Sequence, residues 1–194
     1  MKKTSLIVLI TVLIVLPLSA QKKYAADPSA TQITWTGKKL GKEHFGTINL
    51  KEGVLHIDNN AITGGEFHVD MTTIKNIDIE DEKMNGMLIG HLKSDDFFGV
   101  ENHPAAKLVL TGGGKFVNGT TTVKGSMTIK GKTNPVEFTV KEASMGSVKT
   151  YKAVITVDRS LFDVRYGSGK FFTDLGDKAI SDEFTLEVTL VAKS

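Results

Sequence analysis

The sequence contains no cysteine in its 194 residues. This absence excludes disulfide bonds, thiolate zinc sites and a cysteine nucleophile, and it also excludes a lipoprotein anchor on a cysteine. Arginine is scarce as well, because Arg159 and Arg165 are the only two arginines, whereas lysine is frequent. The fold therefore has to be stabilised by packing.

Long apolar runs are lacking everywhere except at the start. Lys2 and Lys3 precede an almost unbroken apolar run over 6–16, and the segment ends on Ala20. This run is too short to cross a bilayer and has the organisation of a secretory signal peptide. We therefore predict a cleavable signal peptide over 1–20 and a periplasmic or secreted mature protein without an integral membrane anchor.

An excess of charge of one sign is also lacking. Cleavage after residue 20 removes two of the 24 basic residues and none of the 22 acidic residues, which leaves 22 of each in the mature chain. A neutral chain with two arginines does not have the electrostatic footprint of a nucleic-acid-binding protein. We expect no nucleic-acid partner.

Alternation of apolar and polar residues is the main pattern in the rest of the chain. After a polar lead-in over 21–30, apolar side chains occupy every second position in about eight short segments, which predicts half-buried antiparallel strands. The clearest positions are Ile33, Trp35, Ile48, Leu50, Phe67, Val69, Met71, Leu108, Leu110, Met127, Ile129, Phe138, Val140, Ile155, Leu186 and Val188. The pattern is typical of a closed barrel or a sandwich. No repeat or linker interrupts it, so we predict a single all-β domain over 31–194.

Turn signals separate these segments. Asn118-Gly119 predicts a two-residue hairpin. Asn59-Asn60 and Gly131-Lys132 indicate two further turns, and we interpret Lys51-Glu52-Gly53 as another.

One segment has helical spacing instead. Acidic residues lead into it, as is favourable at a helix N-terminus, and we predict one short helix over about 82–94. Its apolar stripe is expected to pack across a barrel opening. The stripe consists of Met84, Met87, Leu88, His91 and Leu92.

The side chains that suggest chemistry are scattered. None of the five histidines is paired at two-, three- or four-residue spacing, so we predict no metal site, no cofactor and no enzymatic activity. His44 and His91 are the two that suit a polar contact inside an apolar pocket or, in an alternative enzyme hypothesis, a base. Arg159 and Arg165 lie among acids, which favours planar pairing with carboxylates. That pairing serves either as a structural clasp or as a contact with a ligand headgroup.

Three segments taken together resemble the YceI-like family of exported polyisoprenoid-binding barrels. They are His91–Pro104 with its Asp-Phe-Phe sequence, Gly125–Val136, and Arg159–Val164, in which Asp163 stands where the family commonly has glycine. Trp35 and the segment His44–Gly46 also fall where the family places an early tryptophan and a strand entry. The likeness extends over residues 31–192.

This resemblance implies an eight-stranded antiparallel, lipocalin-like barrel, with the short helix near one opening. It also implies a lumen that takes an isoprenoid or another long-chain amphiphilic lipid. We therefore predict non-catalytic binding, carriage or sequestration of such a hydrophobic ligand. The alternative is a structural or interaction module whose barrel is filled by its own side chains.

The predicted ligand-binding residues fall into two groups. Nine apolar side chains are expected to line the lumen and its mouth, namely Trp35, Phe67, Met71, Leu88, Phe97, Phe98, Leu108, Met127 and Phe138. His44 and Arg159 are expected to supply polar contacts with the ligand.

Overall fold

The computed structural model describes residues 22–39, 41–144 and 148–193, and the predicted signal peptide over 1–20 lies outside them. This part of the chain contains nine strands, one α-helix and two 3₁₀ helices, and none of these helices combines the length and apolar character needed to cross a membrane. In chain order the elements are β1 Lys22–Ala26, β2 Gln32–Lys39, β3 Lys42–Asp58, β4 Ala61–Asn76, α1 Glu82–Lys93, β5 Ala105–Gly113, β6 Thr120–Ile129, β7 Lys132–Glu142, β8 Lys149–Asp158, the 3₁₀ helices Arg159–Phe162 and Gly176–Lys178, and β9 Ile180–Lys193.

The strands form one antiparallel sheet that closes on itself. From β2 to β9 each strand pairs with its neighbour in the chain, and β2 closes the ring by pairing with β9. β1 fills the same position as β2 further along the barrel, where it pairs with the second half of β3 and the end of β9. The structure confirms the predicted eight-stranded antiparallel barrel, with one strand position shared by β1 and β2.

The first of these strands lies in the segment described from the sequence as a polar lead-in over 21–30. Residues Lys22–Ala26 form β1, in which Tyr24 pairs with Leu55 of β3. β2 has 8 residues and β3 has 17, so half of the β3 edge would stay unpaired without a second strand. Local polarity does not reveal β1, because the edge that it covers belongs to residues about 30 positions away.

Residues in the left-handed region build the hairpin turns. Asn118-Gly119 has φ angles of 51° and 73°, and Asn59-Asn60 has angles of 46° and 60°. The third turn is Lys130-Gly131, with 49° and 71°, one residue before the position indicated by the sequence. Positive φ at both central residues is the turn geometry that matches the twist of paired strands.

The turn predicted at Lys51-Glu52-Gly53 is wrong, because β3 continues through it. The ladder between β3 and β4 shifts register between Leu50 and Glu52, which is a β-bulge. Gly53 lies opposite Phe67, and a Cβ on Gly53 would lie 2.4 Å from Cδ1 of Phe67. Glycine is required here by the close approach of an aromatic ring, not by a change of chain direction.

Antiparallel pairing sorts the connections between strands to two ends of the barrel. The helix end carries the β2–β3 hairpin, the segment 77–104 with α1, the β6–β7 hairpin and the segment 159–179. The opposite end carries the β3–β4, β5–β6 and β7–β8 connections. The helix is thus near an opening, as the resemblance implied.

The apolar side chains of the helix pack on the barrel in its last turns. Leu92 is buried and Leu88 is half-buried, whereas Met84 and Met87 are 54% and 61% exposed. The prediction that the whole apolar stripe packs across the opening is therefore wrong for the two methionines. Both methionines lie outside the packed part of the helix. Asp81 stabilises the N-terminal end of α1 by accepting a 2.8 Å hydrogen bond from the Met84 N–H.

Candidate functional site

The barrel encloses a cavity of about 460 Å³. Inward-facing residues from all eight strand positions form its wall, together with residues of α1 and of the segment 159–179. Pockets that bind small organic ligands have volumes of about 300–1,000 Å³. A barrel filled by its own side chains would leave no such space, so the alternative of a self-filled barrel is wrong.

All eleven residues predicted to contact a ligand lie on the wall of this cavity. Strand alternation brings six of the apolar ones together from distant parts of the chain, since every second side chain of a strand points into the barrel. The other three lie on α1 or directly after it. The eleven residues are Trp35, Phe67, Met71, Leu88, Phe97, Phe98, Leu108, Met127 and Phe138, with His44 and Arg159 as the polar members.

Trp35, the only tryptophan of the chain, is fixed in the wall. Its indole N–H donates a 3.1 Å hydrogen bond to the backbone carbonyl of Lys75. Gly46 pairs with Trp35 across the ladder, and a Cβ there would lie 2.8 Å from Cζ2 of the indole. The backbone at Gly46 therefore leaves the room in which the indole packs.

An aromatic cluster lies between α1 and the segment 159–179. The His91 ring packs edge-on against Phe97 and Tyr166, with centroid distances of 5.3 and 4.3 Å. Phe98 extends the cluster towards Phe184 of β9 at 6.3 Å. These surroundings make His91 a packed part of the cavity wall.

His44 lies at the β2–β3 hairpin, where the cavity meets solvent, and a carboxylate orients its ring. Nδ1 of His44 lies 2.7 Å from Oδ2 of Asp78, while the Phe45 N–H and the Asn76 amide donate to Oδ1 of the same carboxylate. Burial raises the pKa of Asp78, but the hydrogen bonds from His44, Phe45 and Asn76 outweigh it and hold the pKa below its ordinary value. An ionised carboxylate accepts only, so Nδ1 carries the proton and Nε2 is left for another partner.

The same network reaches the helix. The Asn85 amide on α1 donates to the backbone carbonyls of Asn76 and Ile79 at 3.2 and 2.9 Å. The ring of His44 and the start of α1 are therefore held by neighbouring parts of one polar cluster.

Arg159 is buried and tied to backbone carbonyls. Its Nε, Nη1 and Nη2 donate to the carbonyls of Ser181, Val164 and Ile180 at 2.9, 2.8 and 3.0 Å. The nearest carboxylate, Asp182, lies at 3.6 Å, and burial lowers the pKa of the guanidinium. The expected partnership with a carboxylate is present as this ion pair, but the expected planar pairing is wrong, because the fork of donors fits three carbonyls instead.

Arg165 follows the expectation more closely. Its Nε donates to Oδ1 of Asp163, two residues earlier, on the protein surface. The two arginines thus have separate roles, one as a buried clasp and the other in an exposed local ion pair.

The opposite end of the cavity is closed by stacked aromatic rings. Tyr151 stacks on Phe116 with centroids 5.9 Å apart and lines both the main cavity and a second, polar pocket of about 330 Å³ beyond it. Burial is the main cause that raises the pKa of Tyr151, and Glu142 adds to it. Glu142 itself pairs with Lys149 at 2.9 Å.

Sequence reasoning missed several wall residues. Tyr151 has the same strand parity as Ala153 and Ile155, so extending that alternation by one step would have found it. Tyr166 of the wall lies outside the strands, where no periodicity marks it. The same holds for Asp78, which does not line the cavity but orients His44. In the described residues, no group of three or more histidine, aspartate or glutamate side chains is arranged to hold a metal ion.

Several solved structures share the fold at low sequence identity. BcnA from Burkholderia cenocepacia has a TM-score of 0.70 and 21% identity, over 86% of this chain and 98% of that one. A polyisoprenoid-binding domain from Saccharophagus degradans, implicated in plant cell wall breakdown, has a TM-score of 0.61 and 13% identity over 88% and 98%. The Campylobacter jejuni YceI protein has a TM-score of 0.56 and 14% identity over 100% and 99%.

Sequence comparison gives the family directly. Among curated proteins no sequence matches the chain significantly. The model of the YceI-like domain matches residues 24–192, which include α1, the strands β2 to β8 in full and most of β1 and β9. The chain belongs to the YceI-like family.

Proposed function

We propose that the protein binds the apolar chain of an isoprenoid or another long-chain amphiphilic lipid in its barrel and carries or sequesters it. The observation that supports this most strongly is the apolar cavity inside the barrel, which no side chain of the described residues fills. The fold similarity to a polyisoprenoid-binding domain agrees with the same function.

The driving force is the transfer of apolar surface from water. Each buried methylene contributes about 0.8 kcal/mol, against the cost of ordering ligand and protein. Affinity should therefore rise with chain length until the cavity is filled. Met71 and Met127 in the wall are unbranched and adapt to a bent chain.

We further propose that this binding takes place outside the cytoplasm and involves no catalysis. The basic and apolar start of the sequence supports export through a signal peptide over 1–20. N-terminal sequencing of the protein recovered from an exporting host should begin near residue 21. A lipid recovered after long incubation should be chemically unchanged, and conversion of the lipid would contradict the non-catalytic part of the proposal.

Two neighbouring residues of β8 provide a matched test of cavity binding. Ala153 lines the cavity, whereas Val154 is exposed on the outer face of the same strand. Ala153→Phe should reduce the affinity for a fluorescent long-chain lipid at least tenfold, because the new ring takes up the space of several methylenes. Val154→Phe should bind the lipid like the unmodified protein.

Thermal unfolding of both variants serves as the folding control, since overpacking a core typically costs about 1–3 kcal/mol. Equal lipid affinity in a folded Ala153→Phe variant would contradict binding inside the barrel. Native mass spectrometry of the purified protein should in addition show a lipid that leaves on extraction with organic solvent.

A further inference from the structure

Among the residues that the structure describes, the cavity wall carries basic side chains and no acidic ones. In the described residues, the wall carries four lysines, two histidines and Arg159, but no aspartate or glutamate. The mature sequence has equal numbers of acidic and basic residues. The exclusion of acids from the wall therefore requires a local explanation.

Most of these basic groups are committed elsewhere. Arg159 donates to three carbonyls, and His91 packs between aromatic rings. Lys107 pairs with Glu66 at 2.8 Å. Lys152 lies between the inward-facing residues of β8 and therefore has the outward parity. At the β2–β3 hairpin, Lys38 has the outward parity of Thr36 and lies opposite Glu43 in the ladder. Two inward-facing groups therefore remain there, Lys39 and His44.

Strand parity places these two groups in one inward-facing column. Trp35, Gly37 and Lys39 alternate along β2, and their partners on β3 are Gly46, His44 and Lys42. From the cavity towards solvent, the column therefore runs from the indole, through His44 opposite Gly37, to Lys39. A Cβ on Gly37 would meet no atom within 4 Å, so space is open beside the imidazole.

The two groups also have unused hydrogen-bonding capacity. Lys39 forms no ion pair with any described residue. His44 uses Nδ1 for its contact with Asp78, so Nε2 remains available to a ligand. Both side chains reach solvent, with His44 38% exposed. The Lys39 ammonium is a donor, and Nε2 of His44 donates as well when the ring carries a proton on both nitrogens. Such donors at the rim of an apolar cavity suit an oxyanion whose hydrocarbon chain lies inside.

We propose that the ligand has an anionic head, a carboxylate or a phosphate, and that Lys39 and His44 bind this head at the β2–β3 hairpin while Asp78 positions the imidazole. This inference rests on the proposed function, because it assigns the polar end of the same ligand. It also gives the ligand a direction, with its chain end towards Tyr151 and Phe116.

The test compares three probes that share a twelve-carbon chain, namely dodecanoate, dodecyl phosphate and dodecanol. Isothermal titration calorimetry with the delipidated mature protein should show at least one anion binding roughly tenfold more tightly than the alcohol, since charge-assisted hydrogen bonds are stronger than neutral ones. The anion that binds more tightly identifies the head as carboxylate or phosphate. The advantage should shrink between 50 and 500 mM NaCl because the rim is exposed to solvent.

Variants show whether the hairpin is responsible. In the double variant Lys39→Gln and His44→Gln the ratio of anion to alcohol affinity should fall close to one. The control Lys51→Gln removes an exposed lysine of β3 that does not line the cavity and should retain the ratio. Circular dichroism verifies the fold of each variant.

The outcomes separate this inference from the proposed function. Equal affinity for all three probes in the unmodified protein, or an unchanged ratio in the folded double variant, would overturn the anionic head site and leave lipid binding intact. Failure of all three probes to bind would overturn the proposed function, and the head site with it.

Discussion

The two ends of the barrel are built differently. At the opposite end, the stacked rings of Tyr151 and Phe116 close the cavity, and the Glu142–Lys149 ion pair lies beside them. At the helix end, two long connecting segments cover the strands, and solvent reaches the cavity at the β2–β3 hairpin through His44. If the protein binds a lipid as proposed, we expect the lipid to enter at the helix end and its chain end to stop at the aromatic pair.

The helix end itself consists of two unequal segments. The segment 159–179 is anchored by the buried Arg159, whose three donors hold the start of β9 and the chain after the 3₁₀ helix. The segment 77–104 is anchored around Asn76 and through the last turns of α1, and it leaves Met84 and Met87 in solvent. We therefore expect α1 to be the part that moves when a ligand passes.

The largest effect is expected at the clasp. Arg159→Met should lower the free energy of unfolding by about 3–5 kcal/mol, because one buried and two partly buried carbonyls lose their donor. Arg159→Lys keeps the charge but not the planar fork of donors. Its free energy of unfolding should fall by less than that of Arg159→Met. Urea denaturation measures both, and a loss below about 1 kcal/mol for each variant would show that the segment is not held by Arg159.

A smaller effect is expected where the cavity is closed. Phe116→Ala should lower the free energy of unfolding by about 2 kcal/mol, since the ring is half-buried. It should also let the cavity accept a longer chain. The affinity for an eighteen-carbon chain relative to a twelve-carbon chain should therefore increase. Val117→Ala, at the exposed neighbouring residue, should leave this preference unchanged. An unchanged preference in Phe116→Ala would mean that the chain end does not reach the rings.

The two ends should share a loss of stability in acid. At the helix end, the hydrogen bonds to Asp78 hold the pKa of its carboxyl below the ordinary value. At the opposite end, the hydrogen bond from Lys149 is the main cause that lowers the pKa of Glu142. Their stabilising contribution is therefore complete above the unfolded-state pKa values of about 4 and is lost as the pH falls through the lower folded-state values.

The variants Asp78→Asn and Glu142→Gln test this dependence by urea denaturation. Each should be less stable than the unmodified protein by about 1–2 kcal/mol at pH 6, the strength of a charge-assisted hydrogen bond. The difference should shrink as the pH is lowered towards 3. A difference that does not depend on pH would show that the ionised carboxylates are not the stabilising species.

The smallest effect is expected in α1. A Cβ at Gly86 or Gly90 would meet no atom within 4 Å, so alanine fits at both positions. Each substitution should stabilise the helix by up to about 1 kcal/mol, slow amide exchange in α1 and slow the release of a bound lipid. Gly53→Ala is the contrasting variant, because its Cβ would clash with Phe67, and it should destabilise the barrel. Faster release from the alanine variants would contradict a gating role of α1.

Strand alternation explains why the barrel and its lining could be predicted from the sequence. A period of two assigns a side chain such as Phe67 or Met127 to the inside without knowledge of its neighbours. The pairing of β1 depends on the unequal lengths of β2 and β3, which no local pattern contains. The partners of Arg159 are carbonyls, which every residue type carries, so composition could not distinguish them from carboxylates.

Asp163 shows how a departure from the family pattern is accommodated. The residue has a φ angle of 62° and ends the 3₁₀ helix Arg159–Phe162. Glycine, which the family commonly has here, adopts this left-handed conformation without strain, and aspartate adopts it more readily than most other residues. Aspartate is therefore compatible with the left-handed conformation at this position.

Trp35 allows the most direct test of the claim that the barrel holds an apolar chain. It is the only tryptophan of the sequence and lines the cavity, so its fluorescence reports on that site alone. Titration of the delipidated protein with a bromine-labelled twelve-carbon fatty acid should quench this emission and saturate at one ligand per chain, and unlabelled dodecanoate should restore it. Emission that stays unchanged while the protein is folded and the cavity free of lipid would contradict a lipid-binding lumen.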